Sequence, residues 1–120
     1  MMTVGPRPRI NQEVVDGVIV VSFTDSKLVT EDQILEVGEQ LYELADDAAK
    51  KKILLNFGNV QYCSSTVLGK LVAFKRKIDA VKGKLKLCCI HPDLMVPFKL
   101  TGLDKVFEIY TEEQAALDKF

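Results

Sequence analysis

The stretch KILLNFGNVQYCSSTVLGKLVAFKRKI, Lys52–Ile78, changes its hydrophobic period once, and that change decides the fold. Ile53–Phe57 is an unbroken apolar run of strand length, the pattern of a parallel strand buried on both faces. Gly58-Asn59 breaks it. From Ser64 onward the apolar positions Val67, Leu71, Phe74, Ile78 and Val81 recur at helical spacing, and Leu68 and Val72 widen the stripe. A buried strand therefore feeds an amphipathic helix, for which Gly83 is the expected stop.

The same alternation extends in both directions. Upstream, Ile10–Val15 and Val18–Phe23 read as strands joined at Asp16-Gly17, a pair suited to a two-residue hairpin because both turn positions need positive φ. Thr24–Val29 is a connection. Thr30 is an N-cap for a helix over Thr30–Ala48, with Glu31 and Asp32 at the positive end of its dipole. Downstream come a strand at Lys84–Ile90, a short helix at Pro92–Leu100, a strand at Val106–Tyr110 and a last helix at Thr111–Phe120, capped by Thr111. The order β-β-α-β-α-β-α-β-α predicts a single α/β domain: an N-terminal hairpin, then right-handed crossovers building a mostly parallel or mixed sheet flanked by four helices. Residues 1–7 are expected to be a flexible N-terminus, and residues 8–120 the domain.

The bulk numbers narrow the function classes. The 120 residues carry a formal net charge of -1, which gives no reason to expect nucleic acid or an anionic membrane as partner. No apolar run is long enough to span a bilayer, and MMTVGPRPRI has no signal core. The three cysteines have no metal-ligand spacing, so reduced thiols in a cytoplasmic protein are expected; Cys88 and Cys89, as neighbours in a strand, would point to opposite faces. His91 lies in a loop with no nucleophile motif beside it, no nucleotide-binding glycine motif is present, and ILLNF lacks the phosphoacceptor aspartate of a receiver domain. No cofactor, no metal and no catalytic residue are expected.

What remains is the hydroxyl cluster Ser64-Ser65-Thr66 at the strand-to-helix junction. Serine and threonine are the preferred N-caps of any helix. A helix N-terminus also favours an anion, and a phosphate on Ser64 would bring about -1.5 to -2 charges and three acceptor oxygens. From the residues alone both readings stand. Seven basic residues between Lys70 and Lys86 face one acid, Asp79, whereas the helix over Glu31–Asp47 bears only acids. Either the two faces attract one another, or they form a polarised docking surface in which Lys70 steers an acidic partner.

Along the chain come, in order, ILLNF with Asn56, then Val60, Ser64-Ser65 opening a helix, Gly83-Lys84-Leu85 entering a strand, and Thr101-Gly102-Leu103-Asp104 before Val106-Phe107. This ordered set resembles that of a STAS domain, the module of anti-sigma-factor antagonists. The chain departs from the family's Asp-Ser-Ser/Thr-Gly-Leu-Gly pattern at Cys63, Thr66 and Val67-Leu68. The resemblance implies a non-enzymatic bacterial regulator that binds an anti-sigma factor or related serine kinase reversibly. It places phosphorylation on Ser64, with Ser65 as the second choice, and partner contacts at Asn59, Cys63, Ser64, Ser65, Thr66, Lys70 and Met95. The alternatives are a constitutive, unphosphorylated STAS adaptor or scaffold subunit, and a small-ligand binder or enzyme using Cys63 or His91.

Overall fold

A computed structural model describes residues 8–46 and 51–120. The expected hairpin is present: β1 (Ile10–Val15) pairs antiparallel with β2 (Val18–Phe23) around Asp16 and Gly17, at φ +51° and +79°. The chain continues through β3 (Lys27–Leu28), α1 (Glu31–Asp46), β4 (Lys52–Asn56), β5 (Tyr62–Cys63), α2 (Ser65–Ala80) and β6 (Lys84–Cys88). It ends in α3 (Pro92–Leu100), a 3₁₀ turn (Leu103–Lys105), β7 (Ile109–Tyr110) and α4 (Glu113–Leu117). The five-stranded sheet has the order β1-β2-β4-β6-β7, and all its pairings but the hairpin are parallel. The mixed sheet and its four helices agree with the sequence expectation.

Alternation along β4 separates the two faces. Ile53 and Leu55 join the main core with Val37 and Leu41 of α1, Leu71 and Phe74 of α2, and Phe98 of α3. Leu54 points the other way, into a smaller cluster with Val18, Val20, Cys88 and Ala116 of α4. Phe57 centres the main core, with its ring centroid 4.9 Å from Phe23 and 6.4 Å from Phe98. The acidic and basic helices do pack together: Lys70 and Lys77 of α2 place their ammonium groups 5.9 and 5.3 Å from the ring centroid of Tyr42 on α1. No helix among the described residues is long and apolar enough to cross a membrane.

Several boundaries differ from the sequence reading, each for a local reason. The connection Thr24–Val29 contains β3, which pairs in parallel with β5 as a separate two-stranded sheet. α2 stops at Ala80, and the left-handed residue beyond it is Lys82 at φ +59° rather than Gly83, whose N–H instead reaches Ile78 O at 2.9 Å. The strand expected at Val106–Tyr110 shrinks to Ile109–Tyr110. Gly102, at φ +76°, turns the chain into the 3₁₀ segment, and Phe107 then turns into the core edge-on to Phe98. Glu112, not Thr111, precedes α4; its backbone stays extended as the chain passes from the edge strand to the far face. Residues 47 and 48, the expected end of the first helix, and the N-terminal residues 1–7 lie outside the described residues.

Candidate functional site at the head of helix α2

The corner from Phe57 to Thr66 is tied down by hydrogen bonds, several of them between side chains and backbone. Val60 N–H donates to Phe57 O at 2.9 Å, and the Asn59 amide donates to Phe23 O at 2.9 Å and Thr24 O at 3.2 Å. Asn59 thus staples the turn to the end of β2. Asn56 holds the turn from below: its Oδ1 accepts the Gly58 N–H at 2.7 Å while its Nδ2 donates to Glu113 at 2.9 Å. His91 closes the outside of the turn, its Nε2 2.9 Å from Gly58 O.

Pairing of β3 with β5 then sets the position of Ser64. Leu28 is in register with Cys63, and the Ser64 N–H donates to Leu28 O at 3.0 Å. Because the two short strands are parallel and each runs directly into a helix, α1 and α2 begin side by side with their N-termini pointing the same way. Their dipoles both present partial positive charge there. The first turn of α2 contains no acid, whereas Glu31 and Asp32 offset the end of α1.

The two helices are capped differently. Thr30 Oγ1 accepts the Gln33 N–H at 3.1 Å, and Gln33 Oε1 in return accepts the N–H groups of Thr30 and Val29, both at 3.0 Å. Thr30 is the N-cap expected from the sequence, and Gln33, which the sequence reading did not single out, completes a capping box with it. Ser64 occupies the N-cap position of α2 with extended backbone, yet its hydroxyl makes no capping bond. Ser64 Oγ is shielded from solvent and has no hydrogen-bond partner among the described residues. Ser65 and Thr66, one and two residues on, are exposed.

The remaining candidates separate. The Cys63 side chain is only 5% exposed and belongs to the core, where burial pushes its thiol up to about 11. Its sulfur packs into the core rather than onto the surface of the corner. Lys70 is half-buried: its Cδ is 3.1 Å from where a Cβ on Gly38 would stand, so its stem fills the α1–α2 seam. Met95 lines a different feature, a cleft of about 240 Å³ with Ile90, Lys99, Asp104, Ile109, Tyr110 and Thr111. Asn59, Cys63, Ser64, Ser65 and Thr66 therefore form one continuous corner, while Lys70 leans on α1 and Met95 faces the β7 side. Two neighbours escaped the sequence reading: Val29 follows β3 directly, beside Ser64, and is 45% exposed, and Tyr62 in β5 is 55% exposed. The alternation of exposed Tyr62 with buried Cys63 was the available signal. Among the described residues no three His, Cys, Asp or Glu side chains group to hold a metal ion.

A five-stranded mixed sheet flanked by four helices, with a serine at the head of a long helix, places the chain among small α/β domains. The STAS domain profile matches residues 9–116, and the chain belongs to that family. BtrV of Bordetella bronchiseptica, provisionally named an anti-sigma factor antagonist, is 26% identical over 74 residues. That alignment covers 62% of this chain and 64% of BtrV, so the chain spans just under two thirds of this relative's length. The anti-sigma-factor antagonist (STAS) domain protein of Planctomyces limnophilus superposes with a TM-score of 0.82 at 23% identity, over 90% of this chain and 94% of that one. The Bacillus cell fate determinant SpoIIAA, solved in its phosphorylated form, gives a TM-score of 0.67 at 21% identity over 92% and 97% of the respective chains. The fold is that of an anti-sigma factor antagonist.

Proposed function

We propose that this protein is a bacterial, cytoplasmic regulator that binds an anti-sigma factor or related serine kinase reversibly, and that phosphorylation of Ser64 releases it. The protein itself catalyses nothing; ATP belongs to the partner. The observation that carries the reading is the Ser64 hydroxyl: it stands at the head of α2, beside a second helix N-terminus, and has no hydrogen bond to give up. A rotation about χ1 that brings Oγ outward breaks nothing, and the phosphate it would accept is favoured by the unpaired N–H groups and dipole of α2. Exposed Val29 and Tyr62, with Ser65 and Thr66, supply a partly apolar contact surface around it. Adding about two negative charges to such a surface has only to remove ~1.4 kcal/mol of binding to weaken the complex tenfold. A solved phosphorylated form of SpoIIAA is in keeping with this reading.

A second reading, a constitutive STAS adaptor, is favoured by the shielding of Ser64 Oγ and by a buried cysteine at the position before it. One experiment separates the two. The protein is isolated from its native cells with phosphatases inhibited, mapped for phosphate, and its captured partner is titrated with parent, Ser64→Ala and Ser64→Glu protein. Phosphate on Ser64 and at least tenfold weaker binding of Ser64→Glu support the switch. An unmodified Ser64 with equal affinity for all three proteins overturns it in favour of the adaptor.

A further inference from the structure

Consecutive residues of a strand send their side chains to opposite faces, and Cys88-Cys89 was expected to do so. The structure differs. Cys89 leaves β6 with φ +62°, in the left-handed region, and the two sulfurs lie 3.6 Å apart. A side chain with a Cβ seldom adopts that backbone conformation, and when it does the position invites a functional explanation. Cys88 is fully buried in the small cluster under α4, while Cys89 sits half-buried at its rim. The pair thus joins a partly exposed cysteine to a fully buried one in contact with it.

We propose that Cys88 and Cys89 form a thiol-redox modification site, which a peroxide-class oxidant closes to a disulfide between adjacent residues. In the first step the Cys89 thiolate attacks a peroxide oxygen; the O–O bond breaks, Cys89 becomes a sulfenic acid, and hydroxide leaves. In the second step the Cys88 sulfur attacks the Cys89 sulfur, the S–O bond breaks, and water leaves with the Cys88 proton. In total two thiols lose two hydrogens and one peroxide is reduced to two waters. Burial holds the Cys88 thiol well above the ordinary range, with the contact to Cys89 and the charge of Glu113 adding to it, so Cys88 is the poorer attacker of a peroxide; its place 3.6 Å from the Cys89 sulfur is what lets it take the second step.

The bridge would be a readily reversed one. Adjacent Cα atoms across a trans peptide are held about 3.8 Å apart, below the ~4.4 Å where ordinary disulfides begin. A strained bridge is more easily reduced, the property of a regulatory disulfide rather than a structural one. Its closure also has a path to the rest of the fold. Cys88 O accepts the Phe57 N–H at 3.0 Å and the Cys89 N–H donates to Tyr110 O at 3.2 Å, so reorienting this peptide pulls on both neighbouring strands just before α3.

Sequence makes the test direct, because trypsin places the pair in one peptide, Leu87–Lys99, and Cys63 in another, Ile53–Lys70. The reduced full-length protein is treated with stoichiometric hydrogen peroxide, remaining thiols are blocked with N-ethylmaleimide, and the digest is weighed. The proposal expects Leu87–Lys99 unblocked and two hydrogens lighter, restored by dithiothreitol, with Cys63 blocked. It also expects Cys89→Ser protein to keep Cys88 as a free thiol under the same treatment. Blocking of both Cys88 and Cys89, sulfinic acid at Cys89, or a disulfide joining two chains would each overturn it.

Discussion

Replacing Thr30 by alanine should destabilise the fold and replacing Ser64 should not, although both residues stand at helix N-caps. Thr30 exchanges hydrogen bonds with Gln33 at 3.0 and 3.1 Å, and a cap of this kind contributes ~1 kcal/mol, up to ~2. Thr30→Ala forfeits it. Ser64 Oγ has neither solvent nor a partner, and a buried hydroxyl in that condition costs roughly 1–3 kcal/mol. Ser64→Ala removes that cost, while the one-atom void left behind gives part of it back. The balance is between no change and a gain of about 1 kcal/mol. The two variants should therefore differ by roughly 1–3 kcal/mol, close to 4 °C in Tm for each kcal/mol in a domain of this size. Urea titration followed by far-UV circular dichroism reads the difference as a midpoint shift at constant slope. A midpoint for Ser64→Ala lowered as far as that of Thr30→Ala would refute the reasoning, because it would mean that the Ser64 hydroxyl caps α2 in solution.

Three other substitutions test the fold around the site. Because burial raises the Cys63 thiol from 9.0 to about 11, the folded state keeps a proton that the unfolded chain has already lost, so stability falls as pH rises through that window, by roughly 2 kcal/mol from this group. Denaturation midpoints between those pH values should decline less in Cys63→Ala than in the parent; an equal decline would assign the effect elsewhere. Gly102→Ala places a Cβ in open space at φ +76°, so its cost is conformational alone, about 1–2 kcal/mol, and calorimetry should show a correspondingly lower Tm. Phe57→Ala opens a cavity between Phe23 and Phe98 and should cost ~3–5 kcal/mol by denaturant titration, a large share of the stability of any single domain.

How far the sequence could be read follows from the range of the interactions involved. The hairpin at Asp16-Gly17, the Thr30 N-cap and the buried run at Ile53–Leu55 each depend on residues close together in the chain, and each is where the sequence put it. β3 and β5 have two residues each and no local pattern to announce them; they exist because Lys27-Leu28 and Tyr62-Cys63 meet across more than thirty residues of chain. The site inherits that limit. A serine ahead of an amphipathic helix reads locally as a cap; that the Ser64 N–H is taken by Leu28 O of β3, and that Oγ turns inward and caps nothing, depends on residues far away in the chain. The same holds for Cys88-Cys89, whose opposite-facing reading assumed that the strand continues through both, whereas pairing to the short edge strand β7 ends at Tyr110 and leaves Cys89 free to turn left-handed. In both places a long-range pairing sets the conformation of one residue beyond a strand's end, and in both that residue carries the proposed chemistry or controls it.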